Sequence, residues 1–580
     1  MEPQQRSSRP DGFALGDTVG LLHGPTTDPD AERLVRATLT RAAVRTIVDG
    51  EAAVTIHLGG TGLDVRPAAD LPAEGYVVAV GANHVVLDGV DARGTYHAAL
   101  TFDELVQGNE VDGVEVRDWP TLRYRGSIEG FYGTPWSHAD RLDHLDYLGA
   151  HRMNTYQYAP KDDAFHREQW RDPYPPDKLA ELGELIERAS RNKVDFTFAL
   201  SPGLSIRYTS DEDYQALVAK FEALYELGVR VFNVPLDDIE YETWHCPEDA
   251  EKYGTGGGAA GTAQADLCNR VQREWIATKP DVAPLQMVPT EYYNVDESPY
   301  KQALRERMDP AVIVHWTGTA VVPEQITSAQ AAAAKAVFGH DILIWDNYPV
   351  NDYAHGRILL AAYTGREPAL AEQVVGVISN PMNQAAVSKL ALYSFAEFGW
   401  KPAAYDAHAS WHRAIAERAG GDEDTIRALE VFADLTTYDG MLHLANAPVL
   451  AGNLAAFRTT WEAGDLAGAI AGLEPYFEAI ENAPAQLRAG LIDPAYADEA
   501  DAWLDASFYW GQALRQALRV LEAQAEGNKS AVATARAEIR HLTDRAEAIR
   551  DIRVPHSNTH PRIGDGVADA FIAEVTSRVP

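Results

Sequence analysis

Short apolar runs closed by polar or aromatic residues recur eight times between residues 122 and 380: LRYRGSIEG, MNTYQYA, VDFTFAL, VFNVPL, PLQMVP, AVIVHW, DILIWD and VVGVISN. Their length and their β-branched and aromatic content predict strands. Between most of them lie segments with helical spacing. In DEDYQALVAKFEALYELGV, the residues Tyr214, Leu217, Val218, Phe221, Leu224 and Tyr225 recur at i, i+3, i+4 and i+7, which places them on one helix face. Eight strands alternating with helices over about 260 residues predict a (β/α)8 TIM barrel, a fold that takes about 250.

The flanks read differently. Within EGYVVAVGANHVVLDG, the runs VVAV and HVVL on either side of Gly-Ala-Asn predict paired strands, and ARGTYHAALTFDELV predicts a helix. This is an N-terminal small α/β domain, ending near RDWPTLRYRG, where Pro120 and the change of pattern mark a boundary. After about residue 405 the strand runs stop. Helical spacing takes over, as at Leu504, Phe508, Gly511, Leu514, Leu518 and Leu521, with interruptions expected at AGGDEDT, ENAPAQ, LIDPAY and AEGNKS. The expected division is 1–118, an α/β domain; 119–400, the barrel; and 401–580, a helical bundle with an irregular tail at VPHSNTHPRIGDG. AAAAKAVF is expected to be a barrel helix and GTGGGAAGTA a flexible excursion after the fourth strand.

With 46% hydrophobic and 23% charged residues, the composition is that of a soluble globular protein. Eighty-six acidic and 50 basic residues give a net charge of −36. A field of that sign repels phosphate backbones and anionic lipid, so nucleic acid and membrane surfaces are not expected partners. The two cysteines, Cys246 and Cys268, form neither a disulfide framework nor a CxxC pair and are expected to be free thiols. MEPQQRSSRPDGFALGDTVG lacks a continuous apolar core, so a cytoplasmic location is expected. HExxH and GxxxxGK[ST] are absent, and TGGGAAG lacks the strand-to-helix context of a phosphate cradle; no metal and no cofactor are expected.

In a TIM barrel the chemistry sits where the strands end. The first run ends at Glu129 and Gly130; the second at Tyr158, with Lys161 just beyond; the fourth at Asp237 and Asp238. The fifth leads to Tyr292, the sixth to Trp316 and Thr317, the seventh to Trp345, Asp346, Asn347 and on to Asp352, the eighth to Asn380. Aromatic faces suit a sugar ring, and carboxylates, lysine and amides suit its hydroxyls, which points to a carbohydrate hydrolase. Each residue also has a structural reading. Lys161 could pair with Asp162 or Asp163 on the rim, Asn380 could cap a helix starting at Pro381, Trp345 could simply pack, and Asp237-Asp238 could be an acidic turn.

RGSIEGFYGTPWSHADRLDHL, NTYQYAPKDDAFHREQWRDPYP, NKVDFTFALSPG, LDDIE, VPTEYYN, HWTG, WDNYPVNDY and SNPMNQA resemble, in order and spacing, glycoside hydrolase family 84, the retaining β-N-acetylglucosaminidases that include protein O-GlcNAcases. The likeness is dense from about residue 121 to 385 and thinner outside. It implies catalysis in which the substrate's own 2-acetamido oxygen attacks the anomeric carbon to give an oxazoline. It implies that Asp237 holds the acetamido N–H and that Asp238 serves as acid and then base. Gly130, Lys161, Asp352 and Asn380 are implied contacts to the sugar hydroxyls, Tyr292 and Asn347 surround the acetamido group, and Thr317 and Trp345 line the pocket; Asp346 and Glu129 stand further back. Two carboxylates so close are expected to split their titration, one charged and one protonated near neutral pH. The implied partner is a glycoprotein or glycan bearing N-acetylglucosamine, and a homo-oligomer is compatible with the reading. The segment YETWHCPEDAEKYGTGGGAAGTAQADL, longer than expected of a typical relative, could cover or reshape the leaving-group side. Two rivals remain: a hexosaminidase of free glycan or cell-wall fragments, and a sugar-binding protein without catalysis.

Overall fold

Each of the eight runs forms a strand in the computed structural model of the chain, which describes residues 1–60, 62–440, 442, 444–551 and 559–577. The strands are Tyr124–Glu129, Thr155–Tyr158, Asp195–Ala199, Val231–Pro235, Gln286–Val288, Ile313–Trp316, Ile342–Asp346 and Gly376–Ser379. All are parallel, and they close in sequence order. The eighth pairs with the first from Tyr124↔Gly376 to Ser127↔Ser379, which completes the TIM barrel that the periodicity predicts. Because side chains alternate along a strand, every second residue points inward. Tyr124, Ile128, Ala159, Ala199, Val288, Ile313, Leu343, Trp345 and Ile378 form the apolar part of the interior.

Ahead of the barrel lies a mixed seven-stranded sheet whose central hairpin pairs Tyr76–Gly81 with His84–Gly89 across Ala82 and Asn83, both at positive φ. The helices Pro29–Arg41 and Ala92–Leu105 pack together beside it. Behind the barrel, Ala385–Trp400 is buried almost along its whole length and leads into a helical region running from Ala407–Arg418 to Ala568–Ser577. One apolar core joins the barrel's outer helices to that region. Among the described residues no helix is long and apolar enough to cross a membrane.

Two local expectations need correction. GTGGGAAGTA is ordered: Gly254 and Gly256 make the turn at positive φ, and the rest opens the helix Gly257–Arg270. Its small residues let that helix lie against Pro299–Arg307; a Cβ on Gly261 would come within 2.5 Å of the Tyr300 carbonyl oxygen. ENAPAQ does not interrupt anything, because Leu466–Gly490 continues as one helix through Pro475 and Pro484. Its apolar face, including Phe477, Ile480, Pro484 and Leu487, is buried, and this packing outweighs the hydrogen bonds the prolines remove. On Asp501–Ala525 the apolar stripe is buried except at Phe508, which is 36% exposed. Of the tail VPHSNTHPRIGDG, the part before residue 559 lies outside the described residues.

Candidate active site

Chain direction at the end of the fourth strand decides what its two aspartates can share. The strand stops at Pro235, and Asp237 follows Asn233 on the inward face. Asp238 then takes φ +48°, a left-handed turn that aspartate tolerates better than most residues, and both carboxylates line the same cavity. Gly130, Lys161, Tyr292, Thr317, Trp345, Asn347, Asp352 and Asn380 line it as well, so the ten residues expected to carry catalysis or sugar binding meet in one place.

Asp237 is only 5% exposed. Its Oδ2 accepts a hydrogen bond from Lys161 Nζ at 2.8 Å, whereas its Oδ1 is buried without a protein partner. Burial by itself would push this carboxyl up, but the Lys161 charge and hydrogen bond, with Arg167 behind them, hold it below the ordinary aspartate value. Lys161 shows the mirror image, lowered by burial and raised on balance by Asp237 and Tyr132. Its ammonium also stands 5.3 Å from the Tyr132 ring centre and 5.8 Å from that of Trp345. Lys161 is thus turned into the cavity rather than toward Asp162; Asp163 is occupied by the hydroxyls of Tyr158 and Tyr174 at 2.8 Å.

Asp238 is exposed, and both its oxygens accept from tyrosine: Tyr132 donates to Oδ2 at 2.8 Å and Tyr292 to Oδ1 at 3.1 Å. Burial and the two aspartate charges push the Tyr292 hydroxyl well up, so it stays a donor. Asp352 accepts the Tyr132 backbone N–H at 2.9 Å, and burial raises its carboxyl.

On the opposite wall, Asn347 Oδ1 accepts from Trp345 Nε1 and from Asn380 Nδ2, each at 2.9 Å, and Asn380 Oδ1 accepts from Gly130 N–H at 3.3 Å. Asn380 therefore ties strands together and caps no helix; the next helix begins at Ala385. Gly130 is required by close approach, since a Cβ there would lie 2.5 Å from Trp345 Cζ2. Thr317 turns its hydroxyl to the Ala320 carbonyl oxygen at 2.9 Å.

Glu129 and Asp346 stay outside the cavity lining. Arg141 grips Glu129 at 2.7 and 2.8 Å, and Arg366 grips Asp346 at 2.6 and 2.8 Å, both through two nitrogens. Beneath the cavity the barrel interior is polar. Gln157, Thr197, Asn233, Gln286 and His315 are completely buried, and burial pushes the His315 imidazole down to about 3, which keeps it neutral.

Strand-end reading misses Tyr132, Val288, Val321, Val322, Val350 and Tyr353, which also line the cavity. Tyr132 had a signal, since it sits in the EGFYGTPW motif two residues beyond Gly130; Val288 closes the fifth strand, and Val321, Val322 and Val350 belong to loops with no pattern of their own.

A family model for β-N-acetylglucosaminidase matches residues 125–434. Models for domain 2 of glycosyl hydrolase family 20 and for a hyaluronidase post-catalytic domain-like region match residues 2–119 and 450–572. Protein O-GlcNAcase of Mus musculus is 31% identical over 277 residues, 47% of this chain, and the Rattus norvegicus protein gives the same figures. The match spans 29% of the length of each. Among solved structures, CpGH84B superposes with a TM-score of 0.86 at 30% identity over 99% of both chains. An O-GlcNAc hydrolase mutant from Thermobaculum terrenum gives 0.71 at 30% identity over 79% of this chain and 94% of its own. CpGH84D, at 23% identity and a TM-score of 0.87 over 99% of this chain and 98% of its own, shares the fold. A barrel match covering more than half of the chain, joined to end-to-end likeness with a solved relative, places the protein in the β-N-acetylglucosaminidase family, glycoside hydrolase family 84.

Proposed function

We propose that the chain is a retaining exo-β-N-acetylglucosaminidase that works through an oxazoline and removes O-linked N-acetylglucosamine from proteins or glycoconjugates. One observation carries the reading. Asp237 is a charged carboxylate with one oxygen fixed by Lys161 and the other buried and unpaired, beside a second carboxylate that faces the open side. An unpaired buried acceptor is costly, and a substrate N–H satisfies it.

In the first step the acetamido carbonyl oxygen bonds to the anomeric carbon while the bond to the leaving oxygen breaks, and that oxygen takes a proton from Asp238. Asp237 accepts the acetamido N–H and stabilises the positive charge that builds on the nitrogen. In the second step Asp238, now a carboxylate, takes a proton from water as the water oxygen bonds to the anomeric carbon. The oxazoline carbon–oxygen bond breaks, and two inversions leave the configuration retained. Two groups fit this division: Lys161 keeps Asp237 ionised, and the tyrosine hydroxyls of Tyr132 and Tyr292 aim Asp238. When Asp238 carries the proton, its O–H is the donor to the leaving oxygen, and its remaining acceptor capacity keeps it within reach of the tyrosine hydroxyls.

Asp238→Asn tests the assignment. General acid help is worth about 10² to 10⁴ in rate, so kcat/KM should fall by that much for a poor leaving group and far less for an activated aryl glycoside. Equal losses on both substrates would remove Asp238 from the acid role. A panel of O-GlcNAc peptides, chitobiose and muropeptides decides the natural aglycone; preference for the latter two favours glycan recycling.

A further inference from the structure

Between the end of the seventh strand at Asp346 and the short helical turn Pro368–Glu372, the chain runs without a strand or α-helix, yet this loop supplies Asn347, Val350, Asp352 and Tyr353 to the cavity. Long irregular loops in compact domains owe their shape to what they lean on. The first half of this one is tied to itself and to the barrel: Asn351 Nδ2 donates to the Arg357 carbonyl oxygen and to Gln384 Oε1, each at 2.9 Å, Ser379 Oγ donates to the Tyr348 carbonyl oxygen at 2.7 Å, and the Tyr132 backbone N–H reaches Asp352 at 2.9 Å.

Gly356 and Arg357 are tied instead to the helical region, far along the chain. The Gly356 carbonyl oxygen accepts from Arg562 N–H at 2.8 Å and from Trp503 Nε1 at 2.9 Å. Arg357 Nη2 donates to Asp565 Oδ2 at 2.6 Å, and its guanidinium lies 4.1 Å from the Tyr438 ring centre. Gly356 itself adopts φ +75°, and a Cβ there would meet the His560 carbonyl oxygen at 2.4 Å. These contacts converge within five residues of Asp352.

We propose that Trp503, Arg562 and Asp565 of the helical region are positioning residues that brace the loop after the seventh strand, and so hold Asp352 and Tyr353 where the sugar binds. This rests on the hydrolase reading above for what binds, but the brace itself stands on geometry. None of the three residues lines the cavity. Loss of a brace that only places sugar contacts weakens binding and leaves the chemistry at Asp237 and Asp238 intact.

Asp565→Ala and Trp503→Phe are the informative variants, with KM and kcat measured on an aryl N-acetylglucosaminide. KM should rise about tenfold in each, with kcat held within about twofold, because a small displacement of binding groups is felt strongly while the reacting pair is untouched. Arg357→Asp combined with Asp565→Arg should restore KM, which a general loss of packing would not do. Unchanged KM in both single variants overturns the brace, as does a loss confined to the yield of folded protein. Calorimetric binding of N-acetylglucosamine separates the two readings. If the unaltered chain binds the sugar without turnover, the hydrolase reading fails, and weaker binding by the variants still supports the brace; equal binding overturns it.

Discussion

Lys161 and Asp237 meet at 2.8 Å with their side chains each 6% exposed, and each controls the other's charge. The like-charge argument from sequence looked to Asp238 to split the titration of the pair; in the structure the Lys161 and Arg167 charges are what hold Asp237 down. Asp237, with a folded value below its ordinary 3.8, contributes stability that is present above that value and lost as pH falls through the lowered one. Lys161, raised above 10.5, contributes stability that is present below that value and lost as pH rises through the raised one. The pair is therefore intact across the neutral range. In Lys161→Met the nearer cation is gone and Arg167 alone opposes burial, so the acid limb of the kcat/KM pH profile should move to higher pH. An unmoved limb would show that Lys161 does not set the charge of Asp237.

At the scale of strands and loops, buried ion pairs hold the strand ends in register behind the cavity. Asp346 is fully buried and receives Arg366 through two nitrogens and the Tyr363 hydroxyl at 2.7 Å. Removing one partner of such a pair leaves an uncompensated charge, a loss of about 3–5 kcal/mol. Arg366→Met should lower unfolding free energy in urea by that order, and a change below about 1 kcal/mol would mean that water or a new partner reaches Asp346. Elements of this kind are only partly legible in sequence. Strands were readable because eight apolar runs repeat, whereas the helix from Gly257 was hidden because glycine and alanine carry no amphipathic signal. That helix exists because small residues let it approach Pro299–Arg307 closely, with Tyr300, the residue Gly261 approaches, 39 positions further along the chain.

Across the whole molecule, the N-terminal sheet is tied to the barrel through Glu74. Its carboxylate accepts from Arg125 Nη2 at 2.6 Å and Asn154 Nδ2 at 2.7 Å, with His97 Nε2 at 3.2 Å. Burial pushes this carboxyl up, but the Arg125 charge and its other partners leave it well below the ordinary 4.5. Its share of stability is therefore present above 4.5 and lost as pH falls through the lowered value. Arg125 and Asn154 lie at the beginnings of the first two barrel strands, away from the cavity rim. Glu74→Gln should accordingly lower the unfolding midpoint in urea while KM for an aryl N-acetylglucosaminide stays unchanged, in contrast to the variants of the loop brace. A KM that rises together with the loss of stability would show that the sheet also positions the cavity.

The amino-acid sequence by itself determined the barrel, because strand periodicity and the residues that end each strand are local properties, and it brought all ten candidate residues to one rim for the same reason. Family likeness, carried by contiguous motifs such as EGFYGTPW and YAPKDD, was equally local. Only the tertiary structure decided which oxygen of Asp237 is taken by Lys161 and which is left unpaired, that Tyr132 and Tyr292 share Asp238, and that Trp503 and Asp565 reach the loop beside Asp352. These are contacts between residues tens to hundreds of positions apart, fixed by how the closed barrel and the helical region pack, and no local pattern of hydrophobic and polar residues encodes them.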